Sequence, residues 1–184
     1  MDHLGPRDPA DIDACVHVLA AVHERDGYPA DWPADPARWL TPQALIGAWV
    51  AVSDGRIAGH IALSRAGAGD VAPAFVTAGR AAVVGRLFVA PGARGNGLGA
   101  RLVEHAVREA RARGLRPVLD VLATDTAARA LYERLGWERL TTADQEWGPG
   151  RTVTVHCYAA PEPAPTPEPA PTPEPAPTPE PAGP

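Results

Sequence analysis

A glycine-rich stretch near the middle of the chain has the composition of a phosphate-binding turn. It follows an apolar segment that ends at Val89 and leads into an amphipathic segment that begins at Leu98. Its residues are Ala90, Pro91, Gly92, Ala93, Arg94, Gly95, Asn96, Gly97, Leu98, Gly99 and Ala100. Glycines let the backbone approach a ligand closely, and a helix N-terminus adds partial positive charge. The pattern therefore predicts a strand, a turn that binds phosphate or pyrophosphate through main-chain N–H groups, and a helix.

Two common nucleotide-binding loops fit this stretch poorly. A P-loop requires Gly-x-x-x-x-Gly-Lys-Ser/Thr, and this chain contains no lysine. Gly95, Gly97 and Ala100 satisfy the looser dinucleotide pattern, but residues 91–94 separate them from the strand. That pattern also expects an acidic residue about 20 positions later, and Asp120 lies within a strand pattern and too far along. A nicotinamide-dinucleotide protein remains one alternative.

A second segment gives the glycine-rich turn a more specific context. Arg94, Gly97 and Gly99 have the spacing Arg-x-x-Gly-x-Gly, and residues 125–137 read Asp-Thr-Ala-Ala-Arg-Ala-Leu-Tyr-Glu-Arg-Leu-Gly-Trp. At this separation the two segments resemble two motifs of the GCN5-related N-acetyltransferase (GNAT) superfamily, and the resemblance extends over residues 84–140. Two positions depart from the family pattern, because Asp125 replaces the usual Asn and Trp137 the usual Phe.

The resemblance implies both a fold and an activity. The expected fold is α/β (α+β), with a mixed, mostly antiparallel central sheet that is flanked by helices and splayed at the acetyl-CoA site. The expected activity is direct transfer of an acetyl group from acetyl-CoA to a primary amine of a small molecule or a protein. A non-catalytic acyl-CoA-binding sensor with the same fold is the main alternative.

The resemblance also assigns roles to residues of this chain. Leu87, Phe88 and Val89 would pair with the pantetheine arm, and a main-chain N–H near Val89 would stabilise the oxyanion. Tyr132 would protonate the departing thiolate, the alternative being an aromatic residue that only packs. Asp125 would contact the cofactor. The residues expected to hold the pyrophosphate are Arg94, Gly95, Asn96, Gly97, Leu98, Gly99 and Ala100.

The general base and the acceptor site are less determined by the sequence. Asp120 occupies a strand position where some family members carry Glu, so it is a candidate base or else a structural carboxylate. His60 could face the cleft, but the favoured interpretation is a hydrogen-bonded histidine of the sheet. Carboxylates and aromatic rings are interleaved in two loops, which would suit a cationic amine or else reflect ordinary solvated acids. These residues are Asp26, Tyr28, Asp31, Trp32, Asp35, Trp39, Asp144, Glu146 and Trp147.

The elements that must position these residues follow from hydrophobic periodicity and turn residues. The sequence predicts an opening helix, an antiparallel hairpin around Asp54 and Gly55, a strand–helix–strand–helix unit and a closing antiparallel pair. The predicted helices cover residues 12–23, 98–113 and 126–135, and the predicted strands cover residues 48–52, 56–63, 82–89, 117–122, 137–140 and 152–158.

Composition limits the remaining classes of function. The 184 residues carry a net charge of −5, and four of the acids lie in a C-terminal segment in which every second residue from 161 to 181 is proline. We therefore expect a near-neutral N-acetyltransferase domain at residues 1–160 and a disordered tail at 161–184. Near-neutral charge argues against nucleic-acid binding. Cys15 and Cys157 lack metal-ligand spacing, so no metal is expected. No membrane segment is evident, and the expected location is cytoplasmic, with a homodimer possible.

Overall fold

The computed structural model describes residues 3–147 and 149–162, so nearly all of the expected tail lies outside the described residues. The helices are α1 (Ile12–Asp26), α2 (Pro36–Leu40), α3 (Leu98–Ala112) and α4 (Thr126–Arg134). The strands are β1 (His3–Pro6), β2 (Leu45–Ser53), β3 (Arg56–Arg65), β4 (Ala81–Val89), β5 (Arg116–Leu122), β6 (Glu138–Glu146) and β7 (Thr152–Ala159). Single 3₁₀ turns occur at Pro9–Asp11, Ala72–Phe75 and Pro91–Ala93.

The seven strands form one sheet in the order β1-β2-β3-β4-β5-β7-β6. Every neighbouring pair is antiparallel except β4 and β5, which are parallel and are joined by the crossover helix α3. The parallel pairing is short, running only from Ala81 and Arg116 to Val83 and Val118. Beyond that point the two strands separate, which confirms the expected mixed sheet with a splay between its central strands. A doubly wound parallel sheet, which a dinucleotide-binding protein would need, is not what this chain forms.

Helices cover both faces of this sheet and divide its core. On one face, α3 turns its apolar stripe inward, and Leu102 and Ala106 are both 0% exposed. On the other face, α1 and α2 pack over β2, β3 and β4 with Leu19 and Leu40 at their centre. A third cluster on this second face lies under the Ala72–Phe75 turn. Its buried members are Ala72, Ala81, Val118, Val155, Cys157 and Ala159.

Two strands differ from the sequence-based expectation. β1 was not predicted, because four residues that include Gly5 and Pro6 show no strand pattern; the strand forms by antiparallel pairing with β2. β6 was expected to end near Leu140 but continues to Glu146. Its second half is polar and lies at the edge of the sheet, so its conformation depends on the ladder to β7 and not on an apolar pattern.

Truncation of the chain tests the expected domain boundary. Deleting residues 163–184 removes none of the contacts described here, so the unfolding temperature of the shortened protein should equal that of the full chain. Ending the chain at Arg151 would remove β7, which lies between β5 and β6 and buries Val155, Cys157 and Tyr158. That shorter chain should fail to fold. Circular dichroism melts of the three chains make the comparison, and a lower melting temperature for the chain ending at residue 162 would contradict the boundary.

Candidate active site

The splay between β4 and β5 begins beside a β-bulge in β4. His60 of β3 pairs with Phe88 and Ala62 pairs with Gly85, so β4 contains one more residue than β3 across this interval. The extra residue is accommodated at Arg86, which has φ +52°. Left-handed backbone at a non-glycine residue is strained and costs about 1–2 kcal/mol. Bulges of this kind increase local twist and redirect side chains.

His60 is the residue that holds the bulge. Its Nδ1 lies 2.9 Å from the carbonyl oxygen of Arg86, and its Nε2 lies 3.0 Å from Nη1 of Arg7. Because Arg7 can only donate, Nε2 accepts and Nδ1 carries the proton that is donated to Arg86. The ring is 0% exposed and stacks on Phe88 with ring centroids 5.2 Å apart. The interpretation of His60 as a hydrogen-bonded sheet histidine is therefore confirmed.

The end of β4 directs main-chain groups into the gap. Ala90 donates its N–H to the carbonyl of Ala58 at 2.7 Å, so Ala90 faces β3. Since successive residues of a strand alternate in direction, the N–H and C=O of Val89 face the side where β5 has separated. In agreement, the Val89 carbonyl is 3.3 Å from Nε of Arg94. The Val89 N–H is thus available to a group that enters the gap.

The glycine-rich turn supplies a row of further donors. Gly95 and Gly97 have φ of +85° and +73°, a conformation that glycine adopts without strain. Gly97 is the N-cap of α3 and makes no side-chain cap. Within the described residues, no acceptor pairs with the main-chain N–H of any residue from 94 to 100. A run of free N–H groups at a helix N-terminus is the geometry that binds phosphate.

The individual side chains of this turn divide into structural and exposed ones. Arg94 donates to the carboxylate of Asp26, joining the turn to the end of α1. Leu98 is buried in the core beneath the turn. A Cβ added at Gly99 would lie 3.6 Å from Leu131, an ordinary contact. The side chain of Asn96 is exposed. The turn therefore offers backbone donors, while the side chains of Arg94 and Leu98 fix its position.

Tyr132 approaches the gap from the α3 and α4 side. It is buried, with its ring 5.4 Å from that of Trp137. Burial raises its pKa, and the neighbouring Tyr28 and Asp125 raise it further. Tyr28 belongs to the cluster on the opposite face of the sheet, so this electrostatic contact runs across the gap. No hydrogen-bond partner of the Tyr132 hydroxyl is present among residues 3–147 and 149–162.

Asp125 and Asp120, two other residues predicted for the site, have structural partners. Asp125 caps α4 by accepting the N–H of Ala128 at 3.0 Å. Asp120 accepts the N–H of Val71 at 2.6 Å and that of Ala72 at 2.9 Å, which anchors the Ala72–Phe75 turn. Its carboxylate also raises the pKa of Cys157, which desolvation already raises, to about 12. The geometry favours the structural alternative for Asp120 over a general base.

Four of the five loop acids expected near the acceptor contact other groups of the protein. Asp26 pairs with Arg94, and Asp31 lies 2.6 Å from Arg151. Asp35 caps α2, and Asp144 accepts from Thr154 at 2.8 Å. Of the aromatic residues in the same loops, Tyr28 and Trp39 meet edge to face at 6.2 Å.

The described residues contain neither a cluster of metal ligands nor a membrane-spanning helix. No group of three His, Cys, Asp or Glu side chains within residues 3–147 and 149–162 lies close enough together to hold a metal ion. Over the same residues, none of the helices has the length and apolar character that crossing a bilayer requires.

A splayed mixed sheet with a glycine-rich turn and a helix N-terminus at the edge of the splay is the arrangement expected of acyltransferases that use a nucleotide-bearing thioester. The chain belongs to the acetyltransferase (GNAT) family, whose family model matches residues 15–137. Membership confirms the predicted family and acyltransferase activity, with acetyl-CoA as the co-substrate. A comparison with curated proteins finds no match.

Solved structures similar to this chain show the same fold. The ribosomal-protein-S18-alanine N-acetyltransferase of Escherichia coli is 21% identical, with a TM-score of 0.64 over 87% of this chain and 93% of that one. Arabidopsis thaliana NAA60 in complex with a bisubstrate analogue is 16% identical, with a TM-score of 0.67 over 87% and 98%. Salmonella typhimurium yncA, solved with its cofactor acetyl-CoA, is 19% identical, with a TM-score of 0.64 over 86% and 92%. At these identities the likeness concerns the fold alone.

The buried His60 predicts a specific pH dependence of stability. Desolvation lowers its pKa from 6.5 to about 4. The unfolded chain binds this proton first, so the contribution of neutral His60 is complete above pH 6.5 and is lost as pH falls toward 4. A shift of this size corresponds to roughly 3 kcal/mol. Urea unfolding of the wild-type protein between pH 4 and 8 should show this loss.

Two variants isolate the contribution of His60 from that of other titrating groups. His60→Phe preserves the stack on Phe88, and His60→Asn preserves a donor; neither side chain titrates. Both should be less stable than wild type at pH 7.5, and the difference should shrink as the pH approaches 4. A difference that stays constant over this range would show that His60 does not titrate as its burial requires.

Proposed function

We propose that this protein transfers the acetyl group of acetyl-CoA directly to a primary amine, with the reaction taking place in the gap between β4 and β5. The observation that supports this most directly is the row of main-chain N–H groups at residues 94–100, for which the described residues supply no acceptor, next to the N–H of Val89, which faces away from β3. Pyrophosphate donors and an oxyanion donor therefore line one continuous path along the end of β4. Bound acetyl-CoA would supply an activated acyl group as its thioester.

In this proposal the main chain carries most of the binding and stabilisation. The N–H groups of residues 94–100 would hold the pyrophosphate, and the edges of Leu87, Phe88 and Val89 would align the arm that joins it to the thioester. The Val89 N–H would donate to the carbonyl oxygen as negative charge develops there. A single preorganised donor of this kind contributes about 2.7–4 kcal/mol to catalysis.

Tyr132 would serve as the proton donor to the leaving thiolate. Its pKa is raised, so the phenol stays protonated throughout the working pH range. A thiolate in the same desolvated gap is also destabilised, because burial raises the pKa of thiols and phenols alike. The pKa values of the phenol and of the thiol therefore shift in the same direction. Proton transfer as the thiolate departs is then feasible.

Direct transfer is favoured over an acyl-enzyme intermediate because neither cysteine is suited to act as a nucleophile. Cys15 and Cys157 are both 0% exposed, and burial raises the pKa of Cys15 to about 11. A thiol needs a lowered pKa and access to be reactive. Within the described residues, both cysteines lie in core clusters on the α1 face, away from the α3 N-terminus.

The role of Tyr132 is tested by removing its hydroxyl, and the same experiment addresses the alternative raised by the sequence, a protein that binds acyl-CoA without turnover. Tyr132→Phe removes one hydroxyl that has no hydrogen-bond partner among the described residues. In an enzyme that uses Tyr132 as its acid, kcat should fall by about 100-fold or more, with KM for acetyl-CoA and the unfolding temperature nearly unchanged. Thiol release measured with a panel of amines gives both constants.

A matched variant controls for general disturbance around Tyr132. Tyr158→Phe removes a neighbouring hydroxyl, which donates to Glu133 at 2.8 Å, and it should leave kcat within a few-fold of wild type. Equal losses in the two variants, or full activity in Tyr132→Phe, would contradict the assigned acid. Acetyl-CoA binding without thiol release by the wild-type protein on any amine would favour the sensor.

The turn itself can be tested by ligand-dependent stability. Acetyl-CoA at 100 times its dissociation constant should stabilise the fold by about 2.7 kcal/mol, which is a rise of several degrees in unfolding temperature. NAD should produce no such rise. Gly97→Val should lose the response to acetyl-CoA, because a β-branched residue does not adopt φ +73° and the N-terminus of α3 would shift. Stabilisation by NAD alone would contradict the assignment.

A further inference from the structure

The bulge places Arg86 on the side of the gap that faces α1 and α2. It follows the last β4–β5 pair, at Val83, by three positions, and it precedes Val89 by the same interval. Its Nε donates to the carbonyl of Trp39 at 2.6 Å, and its guanidinium carbon lies 4.9 Å from the centre of the Trp39 ring. Both contacts are with α2, so the side chain extends over the face opposite to α3.

The guanidinium of Arg86 has no carboxylate in direct contact with it in the described part of the chain, although Asp70 acts on it over a longer range. Within residues 3–147 and 149–162, no carboxylate oxygen lies within the 4.0 Å limit of an ion pair with its guanidinium. Its two Nη groups form no hydrogen bond there either. The side chain is half-buried, and desolvation lowers its pKa. A half-buried guanidinium with two unused donor groups is an arrangement that a ligand anion would stabilise.

The surroundings of Arg86 and its distance from Val89 limit the size of the anion that it could bind. Tyr28, in the loop after α1, and Asp70, in the loop after β3, both act to raise the pKa of Arg86, against the larger lowering by desolvation. Strands advance about 3.3 Å per residue, so Val89 lies within about 10 Å along β4. An acceptor reaching both Arg86 and the thioester is therefore small.

We propose that Arg86 binds the carboxylate of the acceptor, and that the acceptor is a small amine bearing a carboxylate, in the class of free α-amino acids. This inference rests on the proposed function and specifies its substrate. A bidentate pair with the two Nη groups would orient the amine toward the acetyl group. Polyamines are disfavoured, because Arg86 is positive and the loop acids Asp26, Asp31, Asp35 and Asp144 already have partners within the protein.

The test compares each amino acid with its own carboxamide, because the amide has nearly the same size and shape but lacks the negative charge. Thiol release from acetyl-CoA is measured for a panel of amino acids and the matching amides, and the ratio of their kcat/KM values is taken. We expect the wild-type protein to favour the acid by at least about tenfold, equivalent to about 1.4 kcal/mol. Arg86→Gln should bring the ratio close to one, and Arg86→Lys should give an intermediate ratio.

Controls separate charge recognition from disturbance of the bulge. Glutamine and arginine have a similar backbone strain at positive φ. Circular dichroism melts report whether the variants fold. Arg56→Gln, at the exposed turn between β2 and β3, should retain the wild-type ratio. Calorimetric titration with N-acetyl amino acids and their amides gives a second readout without turnover. The acids should bind wild type more tightly than the amides do, and this preference should disappear in Arg86→Gln.

The outcomes distinguish failure of this inference from failure of the proposed function. Transfer to polyamines or amides with no preference for acids, or a preference that survives in Arg86→Gln, would overturn the role of Arg86 and leave acetyl transfer intact. No transfer to any amine and no stabilisation by acetyl-CoA would overturn the proposed function, and the substrate class with it.

Discussion

The site depends on the loss of pairing between β4 and β5 after Val83 and Val118. A parallel pair that continued would close the gap and use the N–H of Val89 in the sheet. The bulge at Arg86 prevents this by changing the twist of β4. Its strain is maintained because separate contacts hold the same residue: His60 binds its carbonyl, and Trp39 binds its side chain. Strained backbone persists when its surroundings over-determine it, and here the contacts come from the neighbouring strand β3 and from the helix α2.

The gap connects two halves of the core that would otherwise be independent. The α3 face contributes the N–H donors of the turn and the phenol of Tyr132, while the α1 face contributes Tyr28 and Arg86. In agreement with this arrangement, burial is the main cause of the raised pKa of Tyr132, and Tyr28 on the other side of the gap raises it further. A donor molecule bound at the start of α3 and an acceptor bound beside α2 would therefore meet in this gap, with neither having to cross a layer of side chains.

The parts of the site that were predictable from the sequence are those built from local backbone chemistry. Gly95, Gly97 and Gly99 before an amphipathic stripe indicate an anion-binding turn without any knowledge of tertiary structure. The segment around Tyr132 was found by resemblance. Asp120 was ambiguous because its role depends on the N–H groups of Val71 and Ala72, some fifty residues away in the chain. Arg86 gave no signal, since one arginine among 17 basic residues looks ordinary until a bulge leaves it without a contacting carboxylate among the described residues.

The distribution of charge on the acceptor side also shows why composition alone misleads. The loops are rich in Asp, which suggests a surface for cations, but Asp26, Asp31, Asp35 and Asp144 each have an arginine, a hydroxyl or a helix N-terminus as partner. These contacts shape the loops and neutralise their charge locally. In the proposed reaction, charged groups without such direct contacts, Arg86 among them, would then have the largest effect on an acceptor. Selectivity for an acceptor would thus follow from which charges the fold leaves unpaired, and not from which charges are most abundant.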